Sequence, residues 1–470
     1  MITGLNLSSL SSAMRVASTS LASTTVRTTT RAATPVEAPS STKVMFGSQT
    51  SDIAAVYSLS PKKLSATSPQ DAMMKGLLQA AVGSNSLSPL GSIGSTLLSN
   101  LKESRTDVTH AVTSATAGAA GQQSAVSLDI VTQSGSTLHL NMTQKEDGVV
   151  VELKTDGEAL NDDEAAAVAN LGASLEKALS GLGQNPPKID ISGLTNFDSS
   201  VLKSVDLKTD IRADDASVQS LNFHASTTER YVAYQDKDFS LKVSSDLSNP
   251  ALAGDYAQQQ ATLSAYDTKF DKARSTGHGD RDQMEALKSV FRALNTTASA
   301  QRTAITVGAD IRVDNSGRSQ LSGLNDFSLS LTQTEKSINP ARDDEKDRFS
   351  YQASQSTTEN VLSDGSKSVK QTSRSHISAA WHEALDPSIP LALNKMKSSQ
   401  NYTYHLLEND EESTTTLNYN SRGMLASVGH NEQVNNRETV KKYVRGELVD
   451  QTVTPVQYAR SNVLSLLKSA

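Results

Sequence analysis

The chain has 470 residues, of which 36% are hydrophobic and 4% aromatic, with a formal net charge of -7 and no cysteine. The absence of cysteine excludes disulfides, thiolate zinc sites and cysteine nucleophiles. The mild charge gives no reason to expect nucleic acid as a partner, and no run of about 20 apolar residues predicts a transmembrane segment. We expect no cofactor and no metal requirement.

Residues 1–122 are the first predicted segment, a low-complexity head rich in Ser, Thr and Ala. They hold nine Lys and Arg, five Asp and Glu, and only two aromatic residues. So little apolar surface does not offset the entropy lost on folding, and we expect a mostly disordered head. One short helix is predicted near 69–82, where Ser68-Pro69 favours a helix start. That helix either folds back onto the body or binds a protein partner, such as an export chaperone.

The composition of residues 1–60 leaves three interpretations open. Arg15, Arg27 and Arg31 precede the first acidic residue, Glu37. An acid-poor, Ser/Thr-rich leader is typical of uncleaved type III or flagellar export substrates, and also of organellar transit peptides. The third interpretation is a tail with no targeting role. We find no cleaved secretory signal, so the predicted location is the bacterial cytoplasm, or outside it by a route that leaves the leader uncleaved.

Residues 123–250 are predicted to form a strand–helix–strand unit. Three runs alternate between apolar and polar residues, and turn residues such as Asp147-Gly148 separate them. This pattern predicts a three-stranded antiparallel meander with one apolar face. A helix is predicted over 161–182, with Asn161 or Asp162 as its cap and Gly183 at its end. Its apolar stripe is expected to pack on the meander.

Residues 251–398 are predicted to form a second unit of strands and helices. Helical spacing covers 255–272 and 282–294, and a strand pattern covers 305–313. The remaining residues, 399–470, are predicted to form strand hairpins and a short final helix over 456–467. The fold class that these elements predict is α+β, an antiparallel strand-rich body with a few packing helices behind a long disordered head.

A short internal match suggests that the second unit repeats the first. Residues 192–229 and 322–359 share twelve identities over 38 aligned positions, including the blocks Ser-Gly-Leu and Ser-Thr-Thr-Glu. The order of helix, Ser-Gly-Leu turn and strand is the same in both places. We therefore predict a duplication with an offset of 130 residues.

The candidate chemical sites are weak, because the chain has no phosphate loop, nucleophile elbow or dinucleotide fingerprint. A loop rich in glycine carries four residues with divalent-cation ligand chemistry, namely His278, Asp280, Asp282 and Glu285. The alternative is that these acids complement a helix dipole. A second group is His376, His382 and Glu383, in which the two histidines are six apart and so share one face of a strand.

The leading functional hypothesis is a non-enzymatic bacterial protein, exported or envelope-associated, whose body is an interaction or structural module. One alternative is an enzyme whose site is assembled across the fold, with His278 and His382 as first candidates. The other is a carrier of an apolar ligand. A large, apolar, partly open pocket favours the carrier, whereas histidines and carboxylates that converge with shifted pKa values favour the enzyme.

Overall fold

The computed structural model describes residues 69–81, 87–103, 105, 107–113, 123–145, 148–212, 218–249, 253–296, 317 and 319–465. These residues belong to one compact unit. The predicted strand over 305–313 and the first 68 residues of the predicted head lie outside the described residues.

One antiparallel sheet dominates the described part of the chain. Its strands are β1 (Val108–Thr113), β2 (Gln123–Thr132), β3 (Thr137–Lys145), β4 (Gly148–Asp156), β5 (Leu202–Arg212), β6 (Val218–Ser226), β7 (Glu229–Gln235), β8 (Phe239–Asp246), β9 (Asp326–Gln333), β10 (Arg348–Val361), β11 (Lys367–Ala384), β12 (Tyr402–Tyr419), β13 (Leu425–Val444) and β14 (Glu447–Ser465). The order across the sheet is β1-β4-β3-β2-β5, followed by β6 to β14 in sequence. The coarse α+β assignment is confirmed, because this sheet packs against helices.

The helices lie on one side of the sheet. They are α1 (Pro69–Ala81), α2 (Ser88–Asn100), α3 (Asp162–Asn170), α4 (Gly172–Leu182), α5 (Ser192–Thr195), α6 (Tyr256–Thr276) and α7 (Arg281–Asn295). Their buried residues share one hydrophobic cluster with alternate residues of the strands. Among the described residues, no helix has the length and apolar character needed to cross a membrane.

Two adjacent rows of paired residues define the two faces of the sheet. The row on the helix face is apolar from β2 to β10 and turns mainly polar in the last strands: Leu128, Leu207, Phe223, Val232, Val243, Leu329, Ala353, Ser375, Glu411, Val434 and Tyr458. The neighbouring row lies on the open face and is polar: Asp129, Asp206, His224, Tyr231, Ser244, Ser328, Ser354, Arg374 and Glu412. Alternation along each strand thus separates a core face from a hydroxyl-rich face.

The predicted meander and its following helix are present in the first unit. Strands β2, β3 and β4 pair antiparallel in sequence order, and their apolar alternation points to the core. Asn161 caps α3 by accepting a hydrogen bond from the N–H of Glu164, whose carboxylate accepts one in return from the N–H of Asn161. The predicted single helix is divided at Leu171, which ends α3 and precedes α4.

Helix α2 corrects the predicted extent of the disordered head. Residues 88–100 fall within the predicted disordered head, yet they form α2, in which Leu90, Ile93 and Leu98 are fully buried. Glycine permits this packing, since a Cβ at Gly91 would lie only 3.1 Å from the Cα of Glu176 on α4. The Ser and Gly residues that suggested disorder instead let two helices approach closely. Helix α1 is found at 69–81, close to the predicted bounds.

The predicted final helix over 456–467 is wrong. Residues 456–465 are part of β14, which pairs with β13 over almost its full length. Alternating Val, Thr and Tyr residues favour a strand, and the long ladder with β13 satisfies one side of its backbone. The polar, charged stretch between residues 337 and 374 is also regular over much of its length, because it contains all of β10 and the start of β11.

The predicted units are parts of one sheet. Strand β8 pairs with β9 across the predicted boundary at 250, and β11 pairs with β12 across the boundary at 398. The duplicated blocks differ in local structure, since Ser226–Glu229 spans a hairpin turn whereas Ser356–Glu359 lies inside β10. The duplication stays a prediction from the sequence.

Candidate functional site

The four weak cation candidates occupy the connection between α6 and α7 and the first turns of α7. Asp280 caps α7, because its Oδ1 accepts hydrogen bonds from the N–H groups of Asp282 and Gln283 at 2.9 and 3.1 Å. His278 turns away and stacks on the ring of Trp381. Within the described ranges, no three His, Asp or Glu residues are grouped as metal ligands. The geometry therefore matches the helix-start interpretation of these acids.

Glu285, the fourth of these residues, lies one turn further along α7. Its carboxylate accepts a hydrogen bond from Lys288 at 2.8 Å, and the same lysine also binds Asp271 on α6 at 2.7 Å. Glu285 therefore helps to join two helices of the core layer. It also lines a groove of about 580 Å³ between α4 and α7, together with Asp282.

His376 and His382 share the open face of β11, as their spacing predicts, but they have separate partners. His376 Nδ1 lies 2.8 Å from Asp410 Oδ1 on β12. His382 Nδ1 lies 2.6 Å from Asp347 Oδ1, beyond the end of β10. Glu383 is on the opposite face, where its carboxylate lies 3.4 Å from His405 Nε2. The three predicted residues therefore form no common site.

His382 lies within a second, smaller core on the open face. Its side chain is completely buried, and its Nε2 lies 3.5 Å from Glu345 Oε2. Tyr402 donates a hydrogen bond to the same carboxylate at 2.6 Å, and Arg342 lies over the ring of Tyr443. These contacts attach the connection between β9 and β10 to the last hairpins. We call this group the His382 cluster.

Charge pairing shifts the protonation of the His382 cluster. Burial alone lowers the pKa of His382, but the carboxylates of Asp347 and Glu345 outweigh burial and raise this pKa above its usual value. Burial raises the pKa of Glu345, but hydrogen bonds from His382, Tyr402 and Tyr443 outweigh it and lower the pKa to about 2. When the imidazole is protonated, both ring nitrogens are donors and each has a carboxylate nearby. The cluster is therefore suited to fastening the connection between β9 and β10 to the last hairpins.

The open face also carries a shallow groove of about 420 Å³ over β7 to β11. Its lining includes Lys242, Ser328, Gln352 and Arg374. Like the groove between α4 and α7, it is partly open to solvent and is lined by both polar and apolar atoms. A partly open groove is the kind of site that the carrier hypothesis requires, so that hypothesis stays a prediction.

Lys269 is an unusual charged group on the helix face. Its Nζ is buried and has no hydrogen-bond partner among the residues that the structure describes. Burial lowers its pKa to about 7, although Glu411 and Glu432 act in the opposite direction. An unpaired buried amine destabilises the folded state when it is protonated.

The most distinctive surface is the last strand, β14. It has 19 residues, and each residue from 447 to 464 is exposed. One edge of β14 pairs with β13, and the other edge meets no strand of the described chain. The strand at the opposite end of the sheet, β1, has only 6 residues. Natural sheets usually keep edge strands short or covered, so a long bare edge indicates a pairing site.

Large apolar side chains are concentrated on β14. The exposed ones are Leu448, Val449, Val453, Val456, Tyr458, Val463 and Leu464. The strand carries only three charged residues, Glu447, Asp450 and Arg460. Surface apolar residues scattered singly need no explanation, but seven on the two faces of one unpaired strand are typical of an interaction surface.

The sequence reasoning missed the second half of β14 and the histidine–carboxylate pairs for different reasons. The alternation of Val, Thr and Tyr over 449–458 was a local signal for a strand, and the helical interpretation of 456–467 overlooked it. The pairs of His139 with Asp129 and of His224 with Asp206 lie directly opposite each other on adjacent strands. No local signal reveals those pairs, because they depend on the register of the sheet.

Comparisons with known proteins give this chain no relative: no family model, no curated protein and no solved structure matches it.

Proposed function

We propose that this protein is a non-enzymatic interaction or structural module that joins another β-structure through β14. The observation that supports the proposal is the bare, apolar, 19-residue edge of the sheet. A free edge offers unpaired N–H and C=O groups to an incoming strand, and the side chains on both faces then determine which strand fits. The enzyme alternative lacks such support, because His278 stacks on Trp381 and His382 is held by two carboxylates.

The proposal extends to a bacterial protein that is exported or envelope-associated. Its support is the acid-poor, Ser/Thr-rich leader and the complete lack of cysteine. Deletion of residues 2–40 tests this part. We expect the truncated protein to remain inside the cell while the full chain appears in the envelope or the medium. An unchanged distribution in fractionated cells would contradict the export role.

The interaction role is tested by the size of the native assembly in cell extracts. Wild type is compared with Val456→Lys on β14 and with Ile389→Lys, a matched control at an exposed apolar residue outside the strands. We expect wild type and Ile389→Lys to migrate well above the monomer, and Val456→Lys to migrate as a monomer with unchanged circular dichroism. Monomeric wild type in every fraction would refute the proposal.

A further inference from the structure

We propose that the strand that pairs with β14 is the β14 of a second copy of this chain. This inference rests on the proposed function and names its partner. The two strands run antiparallel about a two-fold axis at Val456, so that the sheets of both copies become continuous. Such an interface is isologous, meaning that each residue meets its symmetry-related counterpart.

The register follows from the position of Val456 on the strand. Val456 lies nine positions from Glu447 and nine from Ser465, at the midpoint of β14. An antiparallel pair centred there uses the whole exposed strand of both copies. Any other two-fold register leaves unpaired backbone at the ends, and satisfying backbone groups is a main gain of strand addition.

Five of the seven exposed apolar side chains match one another in this register, whereas Val453 faces Ala459 and Tyr458 faces Thr454. Each residue faces the residue that lies equally far from Val456 in the other direction. Leu448 therefore faces Leu464 of the second copy, and Val449 faces Val463. Val456 faces its own counterpart. Directly opposite apolar and β-branched pairs of this kind stabilise antiparallel sheets.

The charged residues fit the same register. Asp450 faces Asn462 of the second copy, and Arg460 of that copy is the diagonal neighbour, within reach of the carboxylate. Arg460 itself faces Thr452, and Glu447 faces Ser465. Like charges directly opposite each other destabilise strand pairing, and this register places no two like charges opposite each other.

Pro455 fixes which backbone groups face the second copy. Proline has no N–H and is tolerated in an edge strand where its nitrogen faces away from the existing neighbour. The odd-numbered residues of β14 then direct their N–H groups toward the second copy. Pro455 of each copy has no N–H and so removes one donor from that ladder. Val456 consequently forms a non-hydrogen-bonded pair, in which opposing Cα atoms lie about 4.5 Å apart.

Single cysteines test the register, because the natural chain has none. Val456→Cys places two thiols opposite each other at a separation that allows a disulfide. The matched control is Val453→Cys, which is exposed to a similar extent, 42% against 45%. In the proposed register Val453 and its counterpart are six positions apart, or about 20 Å, which is too far for a bond.

We expect the full-length wild type to sediment as a dimer and Val456→Cys to form a disulfide-linked dimer under mild oxidation. Cross-linking of Val453→Cys should be roughly tenfold slower or more, because its thiols are not held in proximity. As a second test, Val456→Glu and Val456→Lys should each be monomeric and should form a dimer when they are mixed.

A monomeric wild type at high concentration, or equal cross-linking of the two cysteine variants, would overturn self-pairing in this register. Those outcomes are distinct from failure of the proposed function. If the assembly in cell extracts depends on Val456 while the purified chain is monomeric, β14 is an interaction surface whose partner is another protein. Self-pairing is then excluded and the interaction role stands.

Discussion

Replacement of Ile93 on α2 by alanine tests whether this part of the predicted disordered head belongs to the core. Ile93 is completely buried in the main hydrophobic cluster. Removal of a buried isoleucine side chain to alanine typically costs about 2–5 kcal/mol, a large part of the about 5–15 kcal/mol that separates folded from unfolded domains. The matched control is Ser99→Ala, which lies on the same helix and is exposed.

Urea unfolding measures the loss, with Trp381 as a single-tryptophan probe. Trp381 is largely buried and stacks between His278 and His405, so its fluorescence should change on unfolding. Ile93→Ala should lower the midpoint clearly, whereas Ser99→Ala should shift the free energy of unfolding by no more than about 0.5 kcal/mol. Equal midpoints for the two variants would refute the placement of α2 in the core.

Truncation extends the same test to both N-terminal helices. A chain that starts at residue 105 lacks α1 and α2 and thereby the following large buried side chains: Met74, Leu78, Leu87, Leu90, Ile93, Leu97, Leu98 and Leu101. At about 1.5–3 kcal/mol each, these eight side chains account for about 12–24 kcal/mol, which is as large as or larger than the whole stability of a typical domain. We expect that chain not to fold and limited proteolysis to stop before Pro69. A stable fragment that starts between residues 100 and 125 would contradict this reasoning.

Three further predictions concern packing and protonation. A Cβ at Gly181 would lie 2.3 Å from a backbone carbonyl oxygen, whereas one at Gly76 meets nothing within 4 Å. Gly181→Ala should therefore lower the free energy of unfolding by about 1–3 kcal/mol, and Gly76→Ala should leave it unchanged or raise it slightly. Equal thermal melts of the two variants would contradict the packing. Because the pKa of His382 is raised in the folded state, wild type should be more stable than His382→Gln below about pH 6.5. It should lose this advantage as the pH rises through the folded pKa. A stability difference that stays constant from pH 5 to pH 9 would show that protonation of His382 does not cause it. Burial lowers the pKa of Lys269 in the folded state to about 7. Lys269→Met should therefore be more stable than wild type, most clearly below pH 7, and this stability difference should shrink as the pH rises toward 10.5. A stability difference that does not depend on pH would argue against burial of the amine.

The sequence by itself determined the elements whose signals are local. Examples are the cap at Asn161, the alternation of the first meander and the helical spacing of α6 and α7. Each of these signals lies within a few residues of the helix or strand that it specifies. Such signals act through backbone propensity, capping and periodicity, which do not require knowledge of the neighbours. The strand-rich character of the body was predictable for the same reason.

Tertiary structure alone decided the features that depend on distant partners. Helix α2 is ordered because its leucines and isoleucine meet the meander and α4, and its many Ser and Gly residues conceal that burial in the sequence. The histidine–carboxylate pairs depend on strand register, and the His382 cluster depends on a connection folding over the open face. The exposed edge of β14 depends on its place at the end of the strand order. Sheet order and register are non-local properties, so no window of sequence along the chain contains them.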